Sequence, residues 1–171
     1  IEWKNQKSLV LGLSETVIYS GQNRSIDFAY FNPMSTHLEI ELNERQNLEG
    51  TGSGNGTWQV SVDWLARPNI RVSGNYLFDE FVLDDEQKDE GKGHARAHSL
   101  KIVYTPLITK ESLLSFYLSN ISVGTHTFKH QSGYNNFVQR NKPLGWPSGS
   151  DSREINLGVN ALYRKSVITN I

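Results

Sequence analysis

The sequence predicts an all-β protein, an antiparallel transmembrane β-barrel segment (an incomplete barrel) with a short helical or irregular insertion. Three observations carry this expectation. Six segments alternate apolar and polar residues with period two. The links between them alternate in length, short turns on one side and long polar loops on the other, as in outer-membrane barrels. The polar parity carries charges of both signs, as the wall of a water-filled lumen would.

The first strand, about residues 8–19, is patterned less sharply than the rest. Residues 20–49 break the alternation. Ser25 is positioned to cap a helical turn over 26–31, and 34–45 reads as helix or strand. In a barrel this insertion belongs in the lumen or on a rim, with a plug as the default. The glycine-rich run 50–56 reads as a flexible connector, because no Lys-Ser/Thr follows to make it a phosphate loop.

The clearest strand is 57–65, with Trp58, Val60, Val62 and Trp64 opposing Thr57, Gln59, Ser61 and Asp63. The turn-like 66–69 joins it in a hairpin to 70–83, where Glu80 shares the parity of Val72, Tyr76, Phe78 and Val82, and Leu77 is the exception among Arg71, Ser73, Asn75 and Asp79. A long acidic link, 84–98, leads to the strand 99–105, and the short link 106–110 leads to 112–120. The longest link, 121–152, precedes the strand 153–164, in which Ile155, Leu157, Val159, Ala161 and Tyr163 share one face. Trp64, Tyr104, Tyr117 and Tyr163, with Trp58 and Tyr19, stand near strand ends and suit an interfacial aromatic girdle. Strands of about ten residues match the span of a tilted transmembrane strand.

A soluble β-sandwich also alternates. The mixed charges of the polar face, the aromatics at strand ends and the one-sided long loops favour the barrel. Six strands are too few to close one, since about eight is the minimum, and lipid does not tolerate open edges. The chain opens at Ile1-Glu2-Trp3 and closes at Thr169-Asn170-Ile171, and both ends read as cuts, with a processed mature domain as the alternative. The expected unit is therefore one partial domain, 1–171, completed by the remainder of the barrel from the missing chain or by other copies.

Composition excludes several classes. Lys plus Arg number 17 and Asp plus Glu 18, a net charge of −1, so no basic excess points to nucleic acid. The absence of cysteine excludes a disulfide framework and Cys-based zinc sites. Four Trp, seven Tyr and seven Phe are too many aromatics for a wholly disordered chain. No run approaches the about 18 apolar residues of a membrane helix. Hydropathy alone therefore reads as soluble, but that test does not see strands.

The run Glu15-Thr16-Val17-Ile18-Tyr19-Ser20-Gly21, then Arg24, then Asp27-Phe28-Ala29-Tyr30-Phe31-Asn32-Pro33, resembles the Wzi-like capsule assembly family of bacterial outer-membrane proteins. Phe78-Asp79-Glu80-Phe81 and the run from Asn141 through Pro143-Leu144-Gly145-Trp146-Pro147 to Asp151 fit the same family. The resemblance implies a barrel of about eighteen strands in the outer membrane of a Gram-negative bacterium. It also implies a role in holding or organising surface polysaccharide. This chain would form its middle to late part, and the acidic insert 84–93 has no place in the family pattern. The implied partners are outer-membrane lipid and capsule polysaccharide. No cofactor, nucleic acid or catalysis is expected.

Sugars are held by aromatic platforms and hydrogen-bonding side chains. The loop 126–151 supplies both, and Tyr134, Asn136, Arg140, Asn141 and Trp146 are the candidate glycan-binding residues, against the alternative of an ordered loop without a ligand. The segment 143–147, with two prolines and a glycine, reads as a structural turn. Asp63, Arg71, Asn75, Asp79, Lys101, Glu154, Asn156 and Arg164 are expected to face the lumen, where opposite charges on neighbouring strands cross-link the wall.

Two other classes remain open. His130-Gln131-Ser132 faintly resembles the His-x-Ser element of outer-membrane phospholipase, with Asn135, Asn136 or Asn141 as the residue that orients the His. The Asn-Gly that follows the Ser in that family is absent. The second class is a passive pore. The pairs His94/His98 and His126/His130 have no carboxylate at a metal-ligand spacing, so no metal site is expected.

Overall fold

The structure, a computed structural model, describes residues 1–21, 26, 28–37, 40, 54–80, 93–130, 133–164 and 166–170. It is all-β. Eight strands form one antiparallel sheet: β1 (Glu2–Lys4), β2 (Leu9–Ile18), β3 (Asn55–Arg67), β4 (Ile70–Glu80), β5 (Ala95–Ile108), β6 (Ser112–Val123), β9 (Ser152–Tyr163) and β10 (Ser166–Asn170). Between β6 and β9 lies a separate two-stranded ribbon, β7 (Val138–Gln139) and β8 (Lys142–Pro143). Each long strand pairs with the next along the chain, a plain meander. The six long strands run from 10 to 14 residues. Transmembrane strands need about 9–11. Among the described residues β1 and β10 do not pair with each other, so the sheet is open.

The register carries the alternation from strand to strand. Leu9 stands opposite Trp64, Trp64 opposite Val72, Val72 opposite Ile102, Ile102 opposite Leu118 and Leu118 opposite Leu157. The neighbouring row joins Ile70, Tyr104, Phe116 and Val159. One face of the sheet is therefore apolar across all six long strands. On β9 it runs from Ile155 to Tyr163, roughly 26 Å of strand. The opposite face holds Ser61, Asn75, Ser99, Lys101, Ser119 and Asn156 in matching rows.

The apolar face is open: Leu11 is 41% exposed, Val60 46%, Leu118 44% and Leu157 74%. Among the described residues the buried apolar side chains are instead Ile40, Ala95, Ala97, Val123 and Phe137, towards the long-loop end of the sheet. Trp64, Tyr104 and Tyr163 lie on the apolar face as expected for a girdle, each close to half exposed. Tyr117 does not. It stands opposite Val103 and Gly158 on the polar face, with the Lys101 ammonium 4.8 Å from its ring centroid. Aromatic identity near a strand end predicted the girdle, but parity decides the face.

Short turns join β1 to β2, β3 to β4, β5 to β6 and β9 to β10 at one edge, and long connections leave from the other. At the first turn Asn5 Oδ1 accepts the N–H groups of Lys7, Ser8 and Leu9. β5 continues through Pro106, contrary to the expected link, because a register shift between Tyr104 and Leu107 spares the ladder the missing N–H. The expected glycine-rich connector also ends early, since Asn55 and Gly56 already belong to β3. Of the expected strand 70–83, residues 81–83 lie outside the described residues, as does the acidic insert 84–92.

The insertion after β2 contains a 3₁₀ turn, Phe28–Phe31, and one α-helical hydrogen bond from Ile40 N–H to Thr36 O at 3.2 Å. The capping residue proposed for it, Ser25, lies outside the described residues. The described part of the insertion does not plug the polar face. It packs on the apolar face at the long-loop end, where His37 meets Trp58 at 6.2 Å between ring centroids. Glu15, which shares the apolar parity, is satisfied there by the His37 ring and by its backbone N–H at 3.1 Å. Gly56 is required beneath it, because a Cβ would enter the His37 ring.

The register is testable by cross-linking. Cysteines at Leu118→Cys and Leu157→Cys, directly opposite, are expected to oxidise readily to a disulfide. Leu118→Cys with Ala161→Cys, displaced by roughly 13 Å along β9, is expected to stay reduced. Non-reducing gels distinguish the two, and the reverse result would mean a shifted register.

Candidate functional site

The polar face is organised as a ladder of hydrogen bonds. Gln59 Nε2 donates to Asn75 Oδ1 at 2.8 Å, and Asn75 Nδ2 donates to Ser99 Oγ at 3.1 Å, linking β3, β4 and β5. Near the short-turn edge Arg71 grips Asp63 with two parallel bonds, Nε to Oδ1 at 2.7 Å and Nη2 to Oδ2. Such a fork is the strong form of an ion pair. Glu154 accepts from Asn156 on β9. Asp63, Arg71, Asn75, Lys101, Glu154 and Asn156 share the polar face of the sheet. Arg164 lies outside the strands, in the β9–β10 turn with φ of 48°, and its guanidinium lies 5.3 Å from the Tyr163 ring centroid.

The described residues of 124–151 fold back over this polar face. Asp79 does not line open space, because its carboxylate accepts the backbone N–H of Phe128. Thr127, fully buried, donates its Oγ1 to Arg96 O at 2.8 Å, and Gly124 N–H reaches the same carbonyl at 3.0 Å. Asn135, also fully buried, accepts Ser20 N–H on Oδ1 at 3.1 Å, while its carbonyl accepts Asn55 Nδ2 at 3.1 Å. The loop is thereby tied to the ends of β2, β3, β4 and β5. Its own small core is Phe128 against Phe137, with ring centroids 5.6 Å apart. Gly145 completes it, since a Cβ there would stand 2.5–2.8 Å from the Phe128 ring. Leu77, the residue that broke the alternation of β4, lines a cavity with Phe128, Phe137 and Leu144.

The five candidate glycan residues do not form one cluster. Arg140 and Asn141, with φ of 50° and 61°, are the two central residues of the β7–β8 hairpin turn. They and Tyr134 are exposed. Asn136 Oδ1 accepts the His130 backbone N–H at 2.7 Å and shapes the loop. Trp146 alone turns towards the sheet. It lines two adjoining cavities, of about 390 and 470 Å³, between the loop and the polar face. Its indole Nε1 is buried and has no hydrogen-bond partner among the described residues. The segment 143–147, expected as a turn throughout, starts in β8 at Pro143 and bends at Leu144 and Gly145, and it delivers this side chain.

Gln131 and Ser132 of the His-x-Ser element lie outside the described residues. Among the described residues no group of three His, Asp or Glu side chains could hold a metal ion. Sequence reasoning passed over Thr127 and the anchoring roles of Asn135 and Asp79. Asp79 alone carried a signal, a carboxylate on the polar parity at the end of a strand. No family model matches the chain, and no curated protein or solved structure matches it significantly.

Replacing Asn135 with Ala removes the acceptor for Ser20 N–H at a buried site. The expected cost is about 1–3 kcal/mol, read as a lower unfolding midpoint, with new protease cleavage confined to 124–151. An unchanged midpoint and cleavage pattern would show that Asn135 does not hold the loop.

Proposed function

We propose that the chain forms part of the wall of a bacterial outer-membrane β-barrel that binds surface polysaccharide, in capsule assembly or attachment, without catalysing a reaction. The observation that carries the barrel half is the continuous apolar face, exposed across six strands and opposed by a polar face. Soluble monomers rarely leave contiguous apolar patches larger than a few hundred Å², and a sandwich would bury this face against a second sheet. Among the described residues only the insertion touches it, at one end. Lipid is the solvent that suits it. The unpaired edges at β1 and β10 then need partners, from further chain or from other copies.

The polysaccharide half rests on the resemblance to the Wzi-like family and on the composition of the loop 124–151. Because that loop lies over the polar face rather than away from it, a glycan-holding lumen suits the arrangement better than a wide passive pore.

The full-length protein is expected in the outer-membrane fraction, with a gel mobility that shifts on boiling. Leu118→Arg, in the middle of the apolar face, should cost about 2–4 kcal/mol and sharply reduce the folded band. Ser119→Arg, one residue along but on the polar face, should assemble normally. A soluble, unshifted protein, or equal tolerance of both substitutions, would overturn the barrel reading and with it the capsule role.

A further inference from the structure

The geometry points to a binding site for an acidic sugar unit inside the lumen, beneath Trp146, and not on the exposed tip of the loop. This inference rests on the polysaccharide-binding barrel proposed above and names where, and for which kind of sugar, the site is built. Trp146 lines the smaller cavity from the loop. Ser73, Asn75, Ser99, Lys101, Ser119 and Asn156 line it from β4, β5, β6 and β9. Its volume of about 390 Å³ lies within the range of ligand pockets, roughly 300–1,000 Å³. The adjoining cavity of about 470 Å³ shares Trp146, Asn75 and Ser99, so successive units of one chain can occupy the two.

Three features select the ligand. An indole face presents the flat apolar surface on which the C–H side of a pyranose ring stacks. The same indole carries a buried N–H without an acceptor among the described residues, an arrangement that costs free energy until an oxygen reaches it. A sugar hydroxyl supplies that oxygen. The third feature is charge. The other charged groups of the wall are engaged: Asp63 with Arg71, Glu154 with Asn156 and Asp79 with the loop backbone. Lys101 stacks over Tyr117, and no carboxylate among the described residues pairs with it. An ammonium lining a polar cavity, with no carboxylate in ion-pair contact among the described residues, favours a sugar bearing a carboxylate.

The test uses the full-length protein in detergent micelles, after its heat-modifiable mobility has been verified. Calorimetric titration compares an oligogalacturonate with a neutral maltooligosaccharide of equal length. The acidic oligomer is expected to bind saturably and at least tenfold more tightly. Lys101→Ala should weaken that binding about tenfold, and Lys101→Arg should keep most of it. Trp146→Phe keeps an aromatic platform but removes the N–H, and should weaken binding several-fold without loosening the loop. No saturable binding, equal affinity for the two oligomers, or unchanged affinity in both Lys101→Ala and Trp146→Phe would overturn the site. Because the protein has already passed the heat-modifiability step, such a failure leaves the barrel reading standing. Failure at that earlier step counts against the barrel itself.

Discussion

Everything else in the structure depends on the register of the antiparallel ladder through β2, β3, β4, β5, β6 and β9. Side chains alternate between faces with period two, so a slip of one residue on any strand would move its apolar set onto the polar face. The ladder keeps Leu9, Trp64, Val72, Ile102, Leu118 and Leu157 in one row across the sheet. The polar rows follow from the same pairing. Gln59, Asn75 and Ser99 can hydrogen-bond in series only because β3, β4 and β5 are in this alignment.

The two faces recruit different companions. At the long-loop end the apolar face takes the insertion, which brings His37 to Glu15 and to Trp58. The polar face takes the loop 124–151, which enters through backbone and side-chain hydrogen bonds and not through a large apolar contact. Asp79 on β4 supplies one of those bonds, and Asn135 and Thr127 reach from the loop to Ser20, Asn55 and Arg96 in distant parts of the chain. A small aromatic core of Phe128 and Phe137 then lets the loop hold its shape. Trp146 projects from this core towards the wall. The result is an aromatic platform facing hydrogen-bonding side chains and a lysine, the combination on which a carbohydrate-binding reading depends.

Much of the sheet was legible in the sequence. Each of the six expected strands exists, but both short turns are tighter than the expected links 66–69 and 106–110, because β3 runs on to Arg67 and β5 to Ile108. The residues with the sharpest parity, such as Val60, Asp63, Lys101 and Leu157, fall on the faces expected of them. β1 and β10 were not anticipated, because three and five residues are too few for a period to show. The candidate site was legible only as a composition. Tyr134, Asn136, Arg140, Asn141 and Trp146 share a loop, yet they divide among an exposed turn, an internal hydrogen bond and a cavity wall.

The sequence by itself determined the strands and their two faces, because alternation is a local property fixed by backbone geometry. Tertiary structure decided why Leu77 is tolerated among polar neighbours and that Trp146 lies over the polar face. These depend on contacts between residues far apart in the chain, such as Asn135 with Ser20 and Asn55. No local pattern encodes such contacts. They arise when the ladder has brought the strand ends together and the long loop finds buried hydrogen-bond partners there.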